Sequence, residues 1–337
     1  MRKISMREAV NEALHTAFNS DENVFTIGED IGTYGGQLRC SYDLLDNFGG
    51  SRVRDTPISE IAIVGAGIGA ALIGKRPVVE LSYMDFIGVC FDQILNQAAK
   101  IRYMYGGRVN IPLVIRTQCG AGLGNGAQHS QSLEAILAHV PGIRVVMPSN
   151  AYDAKGLLLH AIRDNNPVVF VEHKALYKRK CEGPEEPYEI DYCCDIKREG
   201  KDVTIVTYSA MVDVSLKAAE QLAEEGIEAE VVDIRTLEPL DTETIVNSVK
   251  KTRHAVVVHE ACQKGGFGAE IIAQVQEHAL EALESPILRV AAPNVPVPFA
   301  VDLEKSYVPK PEPVIEAVKK SLQKEGEAYE LISYILH

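Results

Sequence analysis

Between Glu60 and Gly74 the chain runs Ile-Ala-Ile-Val-Gly-Ala-Gly-Ile-Gly-Ala-Ala-Leu-Ile, thirteen residues without a charge. Pro57 stands where a helix starts and Gly74 where one stops. A helix with no charged face is expected to be buried, which requires layers of structure on both sides of it. Glu60 heads this helix and is expected to share its burial. Two uses of such a carboxylate stay open. It is either a first-turn acid that complements the helix dipole, or a carboxyl that burial keeps neutral so that it donates a hydrogen bond.

The flanking sequence supplies the layers. Ser5-x-x-Glu8 is a capping box, followed at helical spacing by Met6, Ala9, Val10, Ala13, Leu14, Ala17 and Phe18. Strands are expected at Val24 to Ile27, Pro77 to Leu81, Ile111 to Arg116, Arg144 to Met147 and Val168 to Glu172. Helices are expected at Phe86 to Met104, Ser132 to His139 and Ala151 to Arg163. A charged, proline-bearing connection over 174–202 interrupts the pattern. The alternation then resumes with strands Val203 to Tyr208, Ala229 to Asp233, Ala255 to His259 and Ile287 to Val290. Its helices are Val212 to Glu225, Thr242 to Lys250 and Gly268 to Leu283. This predicts an α/β chain of two three-layer α/β/α domains with mostly parallel sheets, residues 1–190 and 200–337.

Charge and thiols limit the function classes. A net charge of −13 argues against nucleic acid or an anionic membrane as partner. Seven cysteines, odd in number and without Cys-x-x-Cys, fit reduced thiols in a cytoplasmic protein better than zinc or a disulfide framework. The charged N-terminal stretch passes straight into a helix, so no signal peptide is evident. No apolar run approaches the roughly 20 residues that span a bilayer.

Four glycine- or turn-bearing motifs compete for function. Gly65-x-Gly67-x-x-Ala70 with Asp85 beyond it imitates a dinucleotide fingerprint. The context is wrong, because only four apolar residues separate the helix head from Gly65 and no turn intervenes. Gly120 to Gly126 followed by Gln128-His129-Ser130-Gln131 is a flexible loop that delivers a histidine able to exchange protons near neutrality. Gly265-Gly266-Phe267-Gly268, after His259-Glu260, reads as a tight strand-to-helix turn or as an anion-binding helix start. Asp164-Asn165-Asn166-Pro167 is by composition a turn.

In combination, the box Asp55-Thr56-Pro57-Ile58-Ser59-Glu60, the stretch Glu80 to Phe86, the Gln-His-Ser-Gln box, Asp-Asn-Asn-Pro and Gly-Gly-Phe-Gly resemble one family. It is the beta subunit of thiamine-diphosphate-dependent 2-oxo acid dehydrogenases, and the resemblance spans about residues 4 to 320. The wording Ser82-Tyr83-Met84-Asp85-Phe86, Val114-Ile115-Arg116-Thr117 and Glu172-His173-Lys174 leans toward acetoin and bacterial pyruvate members. Branched-chain members, the nearest alternative, carry tyrosine where this chain has Phe86.

The resemblance implies a role for each matching residue. Glu60 would hydrogen-bond the pyrimidine N1′ and favour the imino tautomer that lets the cofactor form its own ylide. Phe86 would stack on the pyrimidine, the backbone at Ile58 would help hold it, and Glu29 would join a proton relay. His129 would donate a proton when the acyl group passes to a lipoyl arm. Leu113, Ala161, Ile162, Asp164 and Asn166 would form a structural potassium site, mostly through carbonyl oxygens. The chain lacks Gly-Asp-Gly, so Mg2+ and the diphosphate would be held by an alpha subunit in an alpha2-beta2 assembly. A lipoyl acyltransferase core would dock on the C-terminal domain, and the substrate would be a small 2-oxo acid or acetoin. Two rival classes, a nicotinamide dehydrogenase built on Gly65 to Ala70 and a non-catalytic scaffold, would need tight NAD binding or activity indifferent to Glu60 and His129.

Overall fold

The structure, a computed structural model, describes residues 2–323. In chain order the elements begin with β1 (Arg2–Ser5), α1 (Met6–Ser20), β2 (Val24–Gly28), α2 (Leu44–Phe48), β3 (Val53–Asp55), α3 (Glu60–Leu72) and β4 (Arg76–Leu81). There follow α4 (Ile101–Met104), β5 (Val114–Cys119), α5 (Glu134–Ala138), β6 (Arg144–Val146), α6 (Ala151–Arg163), β7 (Val168–His173) and β8 (Lys180–Gly183). After these come β9 (Asp195–Arg198), β10 (Val203–Thr207), α7 (Met211–Glu224), β11 (Ala229–Asp233), β12 (Thr236–Glu238) and α8 (Thr242–Thr252). The last are β13 (Ala255–Cys262), α9 (Gly268–Ala279), β14 (Leu288–Ala292), α10 (Val301–Tyr307) and α11 (Pro311–Leu322).

Two compact units divide the chain. The first runs through Tyr192 and also takes Thr236–Pro239 and Val297–Val301; the second holds Cys193–Arg235, Leu240–Pro296 and the described residues from Asp302 on. A seven-stranded sheet of order β12-β6-β7-β5-β4-β2-β3 forms the first unit, parallel except for β12 at its edge. The short β1–β8 ladder pairs Ile4 with Cys181, and β9 pairs with β11, so the segment 174–202 expected to be a connection carries two strands. Helix α1 forms as expected. Ser5 and Glu8 cap it reciprocally, and all seven apolar positions read from the spacing are buried. Burying Val10, Leu14 and Phe18 contributes about 1.5–3 kcal/mol each. Helix α6 lies beside α1, where Lys155 reaches across to Glu12.

A five-stranded sheet of order β14-β13-β10-β11-β9 forms the second unit, parallel except for β9 at its edge. Met211, Ala218 and Leu222 of α7 and Val314 and Val318 of α11 share one apolar core with Val203, Ile205, Val231 and Val256.

Two expectations need correction. The uncharged helix α3 is not buried all round. Ile63, Val64, Gly67, Ile68 and Ala71 face inward, and a Cβ on Gly67 would lie 2.7 Å from Val79. On the other face Ile61 is 51% exposed and Ile73, just past the helix, 80%. Absence of charge reports that a face avoids water; it does not say that this chain provides the cover. The segment Phe86 to Met104 is also not one helix. Bonds from the Phe86 amide to the Tyr83 carbonyl (2.9 Å) and from Val89 to Phe86 (3.0 Å) tighten Met84–Gly88 into a 3-10 turn. A wider i to i−5 bond, Ala99 to Ile94 (3.1 Å), belongs to a π-turn at Gln93–Ala98, and a short α-helix follows at Ile101–Met104.

Candidate active site

Parallel strands deliver their following loops to one edge of a sheet, and ligands of such sheets bind there. Four of the sequence-predicted residues come to that edge of the first unit. Glu29 follows β2, Glu60 follows β3, Phe86 follows β4 and His129 lies in the loop after β5. The Asp55–Glu60 box is tied down where it leaves the sheet: the Thr56 amide donates to the Gly28 carbonyl (3.0 Å) and the Gly32 amide to Asp55 Oδ1 (2.6 Å). Ser59 offers no side-chain cap, so Glu60 stands first in α3 and is 8% exposed. Ile58 is 80% exposed.

Electrostatics and contacts link the four. Burial, then the Glu60 carboxylate, then Asp30 push the Glu29 carboxyl above its ordinary range. Burial, with help from Glu60, pushes the Cys90 thiol up to about 12. Cys90 Sγ in turn lies 3.9 Å from the Phe86 carbonyl. The half-buried His129 ring meets Phe86 edge-on at 5.3 Å and Tyr83 edge-on at 5.8 Å.

Several neighbours carried no role at this site in the sequence reading, where Asp85 was given a part only in the rejected dinucleotide pattern. Lys174, at the end of β7, donates to the His129 carbonyl and sits 4.8 Å above the Tyr83 ring. Asp85 accepts from Gln131. Tyr83, Asp85 and Lys174 all stood inside the stretches that carried the resemblance, but only proximity in the fold reveals what they touch. Gly120 opens the loop at a φ of 95°, where a Cβ would strike the buried His173 ring at 2.0 Å, so only glycine fits there.

Beneath this edge the sheet carries a buried charge cluster. Arg116 is fully buried and donates to both Glu172 oxygens (2.6 and 2.8 Å) and to Glu80 Oε2 (2.8 Å). Tyr177 donates its hydroxyl to Glu172. Burial pushes Glu80 above the carboxylate range while the Arg116 guanidinium pulls it back. Two carboxylates share one cation here, and one-sided removal of that cation is costly.

The five residues predicted for potassium collect at the opposite edge. Leu113 precedes β5, Ala161 and Ile162 end α6, and Asp164 and Asn166 form the turn into β7, where Asp164 Oδ1 accepts the Asn166 amide (2.9 Å). A cation already lies there. Arg76 Nη1 donates to the carbonyls of Ile162 (3.0 Å) and Asp164 (3.1 Å), and Nη2 to Asn165 Oδ1 (2.9 Å). Each carbonyl oxygen keeps a second lone pair, so this all-oxygen set still fits a hard monovalent ion.

Comparison with known proteins agrees with the two-unit α/β fold. A transketolase pyrimidine-binding domain matches residues 2–180, and a transketolase C-terminal domain matches residues 193–314. The beta subunit of acetoin:2,6-dichlorophenolindophenol oxidoreductase from Cupriavidus necator is 48% identical, the match covering 96% of this chain and 98% of that protein. The pyruvate dehydrogenase E1 component subunit beta of Bacillus subtilis is 46% identical, over 96% of this chain and 100% of that protein. The chain belongs to the family of acetoin and pyruvate dehydrogenase E1 beta subunits. Its two-domain, transketolase-like α/β fold is shared by a solved structure described as a split-gene transketolase, inactive beta4 tetramer. That structure superposes with a TM-score of 0.77 at 25% identity, over 95% of this chain and 98% of that one. As a member of this family the chain is an enzyme subunit. The glycine pattern of the E1 beta chain at Gly65 to Ala70 lies inside continuous helix α3, with no dinucleotide turn.

Proposed function

We propose that the chain is the beta subunit of an enzyme that oxidises pyruvate or acetoin and passes the acyl group to a lipoyl arm. In this reading thiamine diphosphate is held between it and an alpha subunit. The observation that carries the reading is Glu60, a carboxyl withdrawn from water at the head of α3, with its charge felt at Glu29 and Cys90. The residues fit a pyrimidine ring: the half-buried Phe86 and the exposed Ile58 offer apolar surface, and Thr56 Oγ1 is buried without a hydrogen-bond partner among the described residues.

When bound, thiamine diphosphate supplies the electron sink for cleavage next to a carbonyl. The chain's residues supply position and protons. With the cofactor in place Glu60 would hydrogen-bond N1′ of the pyrimidine, Phe86 and the Ile58 backbone would orient the ring, and Glu29 would extend the proton path from Glu60. His129 acts in the transfer: the substrate-derived carbon is oxidised to the acyl level, and its two electrons break the lipoyl S–S bond. One sulfur bonds the acyl carbon, and the other leaves as a thiolate that takes the proton His129 gives.

Mg2+ and the diphosphate fall to the alpha subunit, because this chain lacks Gly-Asp-Gly. The open apolar face of α3, with Ile61, Leu72 and Ile73, supports a covering partner. The assembly is alpha2-beta2, and the C-terminal domain docks the acyltransferase core. The carbonyls around Asp164 hold potassium beside Arg76. A melting temperature higher in KCl than in choline chloride supports that site; equal values exclude it. None of the seven cysteines forms a disulfide, which supports a cytoplasmic location, and no described helix is long and apolar enough to cross a membrane.

Co-expression with the matching alpha subunit tests the reading. Dichlorophenolindophenol reduction is compared for pyruvate, acetoin and branched-chain 2-oxo acids, with and without thiamine diphosphate and Mg2+. Cofactor-dependent turnover of pyruvate or acetoin is expected. Turnover that is indifferent to the cofactor overturns the reading.

A further inference from the structure

A long glycine-rich loop cannot by itself hold a proton donor in place. The loop 120–131 carries four glycines at positive φ (Gly120, Gly122, Gly124 and Gly126), and His129 lies near its end. Its rigidity must come from outside. The Gly120 amide donates to the Gln131 carbonyl (3.5 Å), which closes the base of the loop. Gln131 then gives both its backbone N–H (3.1 Å) and its side-chain Nε2 (2.9 Å) to a single oxygen, Asp85 Oδ1. One turn further on, the Leu133 amide donates to Met84 Sδ (3.2 Å). Met84 and Asp85 belong to the 3-10 turn that carries Phe86.

We propose that Asp85 is a positioning residue: by accepting both donors of Gln131 it locks the His129 loop to the turn that carries Phe86. The two halves of the chemistry thereby share one support. The pyrimidine is oriented by Phe86, and the proton donor is registered against the same turn two residues away from Gln131. The other oxygen, Oδ2, is buried and has no hydrogen-bond partner among the described residues, so the clamp rests on Oδ1 alone. Lys174 steadies the loop from the β7 side through the His129 carbonyl, so Asp85 does not act alone.

The inference rests on the proposed role of His129 in acyl transfer, and its test separates the two. In the reconstituted complex with the alpha subunit, two rates are measured for each variant: dye reduction, and acylation of a lipoyl domain. His129→Ala tests the role itself and is expected to depress lipoyl acylation far more than dye reduction. Asp85→Ala is expected to lower acylation, relative to its own dye rate, by about tenfold to a hundredfold, the scale of a misplaced catalytic group. Asp85→Asn keeps the Oδ1 acceptor and is expected to restore the ratio, and Gln131→Ala, which keeps the backbone donor, falls between them. Hydrogen exchange over residues 120–131 reads the clamp independently of chemistry, and Asp85→Ala should accelerate it while Asp85→Asn does not. Equal losses in both rates, or no rescue by asparagine, or unchanged exchange would overturn the clamp. If His129→Ala leaves acylation intact, the role of His129 fails, and with it the functional half of this proposal. If Asp85→Ala does not assemble, the Gln131→Ala and Asp85→Asn pair still decides.

Discussion

His129 and His259 both lie at the carboxyl edge of a parallel sheet, one in each unit, and the chain treats them in opposite ways. His129 is half-buried on a glycine-rich loop, its ring held edge-on by Tyr83 and Phe86. His259 is fully buried on β13, its ring parallel to Tyr208 and its Nδ1 3.0 Å from the Ala261 carbonyl. Glycines make the second arrangement possible: a Cβ on Gly266 or Gly268 would lie 2.5 or 2.6 Å from the His259 ring. Gly-Gly-Phe-Gly is therefore the tight strand-to-helix turn, with its small residues spent on a histidine rather than on an anion. One histidine is presented; the other is sealed.

The largest test of this contrast is kinetic. His129→Ala should cost about 10²–10⁴ in lipoyl acylation, the usual worth of a positioned general acid. His259→Gln should leave acylation within a few-fold and show its effect in melting temperature. Reversal of the two results would break the comparison.

The next test concerns what lies under each histidine. The sheet below His129 carries Arg116 between Glu80 and Glu172, whereas the second unit packs Val256 and Val258 on apolar helices. Arg116→Met leaves two carboxylates buried without their cation and should cost about 3–5 kcal/mol in denaturant unfolding.

A third test uses acid. Burial lowers the His259 pKa to about 4, against an ordinary 6.5. The unfolded chain therefore binds the proton more readily than the folded one. The stability this difference supports is complete above about pH 6.5 and drains away as pH falls toward 4, by about 3 kcal/mol in total. His259→Gln should flatten that part of the pH profile. A profile of unchanged steepness would show that His259 is not sealed. The smallest effect is Gly268→Ala, which forces a methyl against the His259 ring and should cost about 1–3 kcal/mol.

Much of this was legible in the sequence. Helix α6 and strand β11 begin and end where the pattern placed them, because Asn150 caps the first by accepting the Asp153 amide and Ala229–Asp233 is a buried strand run. The residues at the site edge were legible through their motifs, since Glu60, Phe86 and His129 each stand in a distinctive local box. What failed to show was whatever depends on distant partners. Asp85 meets Gln131 across forty-six positions of sequence. Arg76 reaches the turn after α6, and neither contact leaves a periodic signal. The missing charge of α3 revealed that a face avoids water but not that half of it stays open. Likewise the 3-10 and π turns of 84–98 differ from an α-helix only in which local carbonyl each amide meets, which a run of helix-forming residues conceals.

The central claim is that a buried carboxyl at the head of α3 serves thiamine diphosphate. It is tested most directly by titrating the cofactor into the alpha-reconstituted complex while following dye reduction, for the wild-type chain and for Glu60→Ala. The account predicts saturable, cofactor-dependent turnover for the wild type and a loss of at least about a hundredfold for Glu60→Ala in a complex of unchanged assembly. Wild-type turnover by Glu60→Ala in that complex would contradict it.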